Sequence, residues 1–159
     1  MSAPVAIDFR PAHLDSGDGA RLIAAMVAEI ADIYDGLVLD GEEMPRAGAA
    51  DLSPPGGAFL VGYQGEEPIC CGGIKRLDAR ACEIKRMYVA PAARGQGVAR
   101  RLLGALEDTA RALGYAIARL DTGPRQVHAL ALYRSAGYTE IGNFNANPVA
   151  VYWGEKALA

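Results

Sequence analysis

The segment Arg94-Gly95-Gln96-Gly97-Val98-Ala99 is the part of this chain most plainly equipped for chemistry. Two glycines leave the backbone bare, so N–H groups at Gly95 and Gly97 can approach a ligand closely. The residues that follow carry helical periodicity. The N-terminus of a helix has amides without internal partners and a dipole that favours anions. Bare backbone running into a helix start suits a phosphate group; a tight strand-to-helix turn, with glycine for steric reasons alone, is the plainer alternative. Two nucleotide signatures are absent. The third glycine position of a dinucleotide-binding G-x-G-x-x-G is Arg100 here, and no Gly-Lys-Ser/Thr is present for a triphosphate-binding loop. Cys70, Cys71 and Cys82 lie in apolar, strand-like stretches, where a packed thiol is expected and not a nucleophile. Three cysteines and two histidines offer no metal-ligand spacing. His128 is expected in solvent, and His13 has no visible partner.

The elements around this turn follow from periodicity. Val5 to Phe9 reads as a strand closed by Pro11. Asp15 or Ser16 can cap a helix in which Leu22, Ile23, Met26, Val27, Ile30, Ile33 and Tyr34 recur at helical spacing. Met44 to Gly57 holds three prolines and three glycines and reads as a loop with a short helix at most. Strands are expected over Ala58–Tyr63, Pro68–Leu77 and Cys82–Ala90, forming an antiparallel meander. A helix is expected over Arg94–Leu113, with Val98, Leu102, Leu106, Ala110 and Leu113 on one face and Gly114 in the C-terminal left-handed position. Ala116–Gly123 is a strand and Gln126–Ser135 a short helix. Two final strands are carried by YTEIG and VAVYWGE. Strands followed by strand, helix, strand, helix and strand give a mixed α/β sheet.

Composition narrows the function classes. With 159 residues, 51% hydrophobic and 22% charged, the chain fits one globular domain over residues 1–159. A formal net charge of -3 argues against nucleic acid as the main partner. An odd cysteine count with two adjacent cysteines argues against a disulfide framework and for the reducing cytoplasm. Charges interrupt MSAPVAIDFRP where a signal peptide needs an apolar core. No apolar run approaches the ~20 residues of a membrane span.

The strand EIKRMYV, the run P-x-x-R-G-x-G-x-A and the long helix after it resemble the GNAT superfamily of acyl-CoA-dependent N-acetyltransferases. A second segment, QVHALALYRSAGY, is similar to that family's N-x-x-A-x-x-x-Y-x-x-x-G-F/Y pattern at Ala129, Tyr133, Gly137 and Tyr138. Gln126 stands where the family carries Asn. The resemblance implies a twisted, mixed, mostly antiparallel sheet of six or seven strands with about four helices. It implies acetyl-CoA as co-substrate, with its pyrophosphate on the turn made by Arg94, Gly95, Gln96, Gly97, Val98 and Ala99. Backbone groups of Met87, Tyr88 and Val89 would serve the thioester carbonyl and the pantetheine amides, and Gln126 and Ala129 would also touch the cofactor.

The resemblance further implies direct attack of an amine on the thioester with both substrates bound. Positioning then replaces a bimolecular encounter, and preorganised donors stabilise the developing oxyanion. An alkyl ammonium with pKa near ~10.4 must lose a proton, for which Glu83 is the base the family pattern suggests, usually acting through water. A surface pairing with Lys85 or Arg86 is the alternative for that carboxylate. Tyr133 falls at the family's acid position, facing the sulfur of departing CoA. An ideal strand places Glu83, Lys85 and Met87 on one face, and a bulge near the cofactor would change that parity.

In relatives, the acceptor pocket is built from the first helices, their loop and the segment before the last strand. Here these are Tyr34–Gly57 and Asn143–Pro148. Asp35, Asp40, Glu42 and Glu43 make the loop acidic, which suits a cationic amine such as a polyamine, aminoglycoside or lysine side chain, or else a solvated loop. Tyr152 and Trp153 suit either the pocket or a dimer interface, and relatives commonly form homodimers. Two other classes stay open at this level: an acyl-CoA-binding sensor without turnover, and a protein lysine acetyltransferase. Propionyl- or succinyl-CoA would serve as donor equally well on these residues.

Overall fold

The computed structural model describes residues 6–39 and 41–159. Seven strands form one sheet in the order β1-β2-β3-β4-β5-β7-β6. They are β1 (Asp8–Pro11), β2 (Ala58–Gln64), β3 (Glu67–Arg76), β4 (Ala81–Val89), β5 (Ile117–Thr122), β6 (Thr139–Ile141) and β7 (Tyr152–Ala157). Three α-helices, α1 (Gly17–Ile33), α2 (Val98–Ala112) and α3 (Val127–Ser135), cover its faces, and a single 3-10 turn spans Pro91–Ala93. This is the mixed, mostly antiparallel sheet the sequence pointed to, with three α-helices where about four were expected. Residues 44–57 form turns without a helix.

β1 begins later than expected and runs through Pro11. A residue without an N–H is tolerated there because β1 is an edge strand, paired with β2 alone. The parts of the first strand at Val5 and of the acidic loop at Asp40 lie outside the described residues.

β4 and β5 form the sheet's parallel pair, and they stay paired over a short distance. The register runs Ala81↔Ile117, Cys82↔Ala118 and Glu83↔Arg119, then stops. Beyond Glu83, β4 keeps its partner β3 on one side, while β5 keeps β7 on the other. The sheet therefore opens at its centre, and the β4 edge facing β5 is left without a strand partner.

Two apolar clusters fill the two faces. Leu102, Leu103 and Leu106 of α2 pack with Ile84, Tyr133 and Tyr138 on one face. Leu22 and Met26 of α1 pack with Leu39, Leu52 and Tyr88 on the other. α2 starts at Val98, four residues later than periodicity suggested, because Gly95 and Gly97 take left-handed φ of 78° and 76°. Its N-cap, Gly97, supplies no side-chain cap, a loss of only about a few tenths of a kcal/mol relative to Ser or Asp. Leu102, Leu103 and Leu106 are each at most 1% exposed, and burying each contributes roughly 1.5–3 kcal/mol, so packing holds the helix without the cap. Glu107 is buried on the same face, accepting from Tyr138 Oη at 2.8 Å and from Lys156 Nζ at 3.0 Å. Leu113, expected on the buried face, follows the helix end and is 39% exposed.

Candidate active site

A cleft of about 870 Å³ passes through the opening between β4 and β5. Its walls come from both faces of the sheet: α2, α3 and the turn before α2 on one side, α1 and the loop after it on the other.

At the α2 end, the turn presents backbone. A Cβ built on Gly95 or Gly97 would meet nothing within 4 Å. The glycines thus answer a demand for left-handed φ, and the space above them is open. The first helical hydrogen bond runs from Arg101 N to Gly97 O at 3.3 Å, so the amides of Val98, Ala99 and Arg100 precede it, as first-turn amides do. The first turn carries no acidic residue. Arg94 sits beside this cradle. Its Nε donates to the Val89 carbonyl at 2.9 Å, and its Nη2 meets Glu29 of α1 at 2.7 Å. Free amides, a helix dipole and an arginine fit a diphosphate.

The middle of the cleft is shaped by a bulge in β4. Cys71 pairs with Tyr88 while Gly73 pairs with Lys85, so β4 holds one extra residue across this step. Arg86 carries it with φ of 60°. The bulge reverses the parity of the strand. Cys82 and Ile84 before it, and Met87 and Val89 after it, all pack on the α2 face. Tyr88 turns to the α1 face instead.

Tyr133 of α3 is buried and lines this middle portion. Its hydroxyl faces the Met87 sulfur at 3.9 Å. Burial, then the negative charge of Asp121, holds the hydroxyl well above the ordinary tyrosine range. It is therefore a standing proton and hydrogen-bond donor, facing a weak acceptor.

Asp121, near the end of β5, lines the cleft. Asn145 Nδ2 donates to its Oδ2 at 2.7 Å and Asn147 Nδ2 at 2.9 Å. The same Asn145 Nδ2 donates to Glu83 Oε2 at 2.8 Å, and Trp153 Nε1 donates to Asn145 Oδ1 at 2.9 Å. Asn145 is thus a bridge between two carboxylates. Glu83 is 1% exposed, pairs with the buried Lys85 at 3.2 Å, and has one oxygen, Oε1, without a partner.

The Acetyltransferase (GNAT) family model matches residues 23–138. The chain belongs to the GNAT acetyltransferases. A protein of Azospirillum brasilense named "IAA acetyltransferase" is 36% identical over 141 residues, covering 86% of this chain and 90% of its own length. The Escherichia coli K12 N-acetyltransferase YjgM is 37% identical over 93 residues, covering 56% of this chain and 55% of its own length. Among solved structures, a Klebsiella pneumoniae protein described as an acyl-CoA N-acyltransferase is similar at a TM-score of 0.79 with 27% identity, over 96% of this chain and 98% of that one. An Elizabethkingia anophelis GNAT acetyltransferase with acetyl-CoA bound shares the fold at a TM-score of 0.66 with 17% identity, over 95% of this chain and 97% of that one. The protein is therefore an N-acetyltransferase by family, and acyl-CoA is the co-substrate the family uses.

The GNAT motif residues fall along the cleft with distinct parts. Met87, Tyr88 and Val89 line it from β4, Arg94, Gly97 and Ala99 from the turn, and Gln126, Ala129 and Tyr133 from α3 and its start. Gln126 is tied to its own turn, its Oε1 accepting from Thr122 Oγ1 at 3.3 Å and Gly123 N at 3.4 Å. Gly95 and Gln96 are exposed beside the wall, and Val98 points its side chain into the core, so each can meet a ligand through backbone. Glu83 does not line the cleft. Its Oε2 meets Lys85 and Asn145, so a role for Glu83 on a substrate would need an intervening group such as water.

Asp121 and Lys85 line the cleft without having been singled out as site residues, whereas Asn147, also on the wall, falls in the Asn143–Pro148 segment expected there. A signal for Asp121 exists in retrospect: a carboxylate at the C-terminal end of an otherwise apolar strand beside a parallel neighbour. The acidic loop behaves differently from its charge pattern. Glu42 and Glu43 are exposed and absent from the wall, and Asp35, 84% exposed, pairs with Arg125 at 3.5 Å. Tyr152 is buried in the core and Trp153 serves Asn145, so neither lines the cleft. His128 is at the wall and exposed; His13 is remote from it. Burial pushes Cys70 up to about 11 and Cys71 and Cys82 up to about 12, which leaves all three as packed thiols.

Proposed function

We propose that the protein transfers the acetyl group of acetyl-CoA to a primary amine by direct attack in a ternary complex. The observation that carries this reading is the continuity of the cleft. It joins an anion cradle on one face of the sheet to an apolar chamber on the other, with Tyr133 and Asp121 between them. The pyrophosphate rests on the amides after Gly97 and on Arg94. The pantetheine arm lies in the opening, where β4 beyond Glu83 offers an unpaired edge. That places the thioester beside Met87 and Tyr133.

The acceptor nitrogen arrives from the α1 face, toward Asp121. An ammonium has no lone pair, so a proton must leave before or as the N–C bond forms. The ammonium first gives one proton to solvent, and the free amine attacks. Nitrogen bonded to the carbonyl carbon is then far more acidic than before, and Asp121 is the carboxylate on the wall to receive this second proton, directly or through water. Glu83 reinforces Asp121 through Asn145. As the C–S bond breaks, the Tyr133 hydroxyl exchanges its weak contact with Met87 for the CoA sulfur and donates to it. Because its pKa is raised, its main service is a strong hydrogen bond to the developing thiolate, with the proton passing as CoA leaves.

The test is a pair of measurements on the purified chain. Acetyl-CoA at a hundredfold excess over its dissociation constant should stabilise the fold by about 2.7 kcal/mol, a rise in Tm of roughly 5–10 °C for a chain of this size. ADP and NAD should raise it less. Release of free CoA on adding primary amines should follow. No Tm rise with millimolar acetyl-CoA would overturn the assignment of the turn. A Tm rise without acetylation of any amine or of lysate protein would leave an acyl-CoA-binding module and remove the enzyme reading.

A further inference from the structure

The α1 end of the cleft is apolar and lacks a second counter-charge, and this restricts the acceptor. Met26, Ile30, Ile33, Leu37, Leu39 and Met44 form its wall. Among the described residues, the carboxylates lining the whole cleft are Glu29 and Asp121. Glu29 is spoken for at the phosphate end, 2.7 Å from Arg94. Asp121 stands at the reaction centre. The cation at the mouth on this side is Arg125. It reaches Ile33 O and Asp35, and its guanidinium lies 5.9 Å from the Tyr34 ring centre. Tyr34 in turn rests on Gly123, where a Cβ would come within 2.3 Å of the tyrosine oxygen. The mouth is thus floored by a ring and edged by the Arg125–Asp35 ion pair.

We infer that the acceptor is a primary amine on an apolar body with no second cationic group, and that polyamines and aminoglycosides are poor substrates. The inference rests on the proposed transfer reaction. One ammonium finds Asp121. A second would leave water for a hydrocarbon wall with no carboxylate on it, while Asp35 at the mouth is already paired with Arg125. This reverses what the acidic composition of the loop suggests, because Glu42 and Glu43 are exposed off the wall and Asp35 is taken up by Arg125.

The experiment compares kcat/KM across n-alkylamines from propylamine to hexylamine, with 1,5-diaminopentane as the cationic isostere of hexylamine and with spermidine. The value should rise about fourfold per methylene as each is buried. Hexylamine should exceed 1,5-diaminopentane by at least about tenfold, in line with the cost of an unpaired buried charge. The variant Leu37→Glu adds a carboxylate to the apolar wall at a half-buried position. It should move the hexylamine-to-diamine ratio about tenfold toward the diamine, with the acetyl-CoA Tm rise unchanged. A flat alkyl series, a diamine or spermidine preference in the wild type, or a ratio unmoved by Leu37→Glu would overturn the inference and leave the transferase reading standing. Failure of every amine despite a Tm rise with acetyl-CoA would overturn both.

Discussion

At the α2 end of the cleft, most of what is offered to a ligand is backbone, with Arg94 beside it: two left-handed glycines, the first amides of a helix, and an unpaired strand edge. At the α1 end it is side chains on a helix and on a loop without regular structure. In the proposed reaction the first end meets the part of the substrate that never varies, so fixed backbone geometry would serve it, and backbone geometry writes itself into sequence as glycine at required positions. The second end meets the part that gives an enzyme its individuality. Side chains there are chosen for fit, and many choices of similar hydrophobicity would build an equally good wall. This explains why the co-substrate can be read from a short motif while the acceptor has to be argued from the walls of a cavity.

The largest effect is expected where the two ends meet. Tyr133→Phe removes one hydroxyl and keeps the ring in its buried place against Tyr138, 6.1 Å away between ring centres. General-acid help is commonly worth 10²–10⁴-fold, so kcat should fall by about a hundredfold or more. The acetyl-CoA dissociation constant and the amine KM should hold, because both ends are untouched. Steady-state kinetics with a calorimetric titration separates these. Unchanged kcat would show that water protonates the thiolate and that the two ends meet without help from α3.

The next effect breaks the α2 end alone. Gly97→Val forces a β-branched residue to φ near 76°, a conformation costing such residues roughly 1–2 kcal/mol or more, and sets a side chain over the amides of the cradle. Acetyl-CoA affinity should fall about tenfold to a hundredfold. The apo fold should lose little beyond the strain, since the position is open to solvent. If affinity fell no further than stability, the glycine would be serving the turn and not the ligand.

How far the chain can be read without coordinates follows the same division. The β2–β3–β4 meander, α2 and its glycine turn, and the α3 motif are encoded locally, by alternation, by helical spacing and by residues that alone tolerate a given φ. The bulge at Arg86 is not: nothing about an arginine marks it for φ of 60°, and that one residue decides which side of the sheet Met87 faces relative to Glu83. Glu83, the base the motif suggests, is buried and hydrogen-bonded to Asn145, a placement the motif alone does not carry. The acidic loop misled for a related reason. Composition records how many carboxylates a segment carries, and only packing of Leu39 and Met44 against α1 decides that Glu42 and Glu43 turn outward. Asn145 as a bridge between Glu83 and Asp121 needs contacts separated by 62 and 24 residues, beyond the reach of any local pattern.

The smallest effect concerns the two faces under the cleft and uses their thiols as reporters. Cys70 and Cys82 belong to the α2-face cluster, Cys71 to the α1-face cluster. Burial raises Cys70 to about 11 and the other two to about 12. In the unfolded chain a thiol titrates near ~8.5. The unfolded state then binds fewer protons than the native state above that pH, so stability falls as pH rises. The contribution is complete below about pH 8.5 and is lost progressively as pH climbs through about 11 to 12, by at most about 1.4 kcal/mol per pH unit for each thiol. Tyr133 and Tyr138, also raised by burial, add the same sign above pH 10. Urea midpoints between pH 8 and 11 should decline, and Cys71→Ala should decline less steeply than the wild type because one of the three thiols is gone. An identical slope in the variant would mean that Cys71 already meets solvent in the native state. In that case the α1 face is the looser of the two, and the wall that selects the acceptor is mobile where the phosphate cradle is fixed.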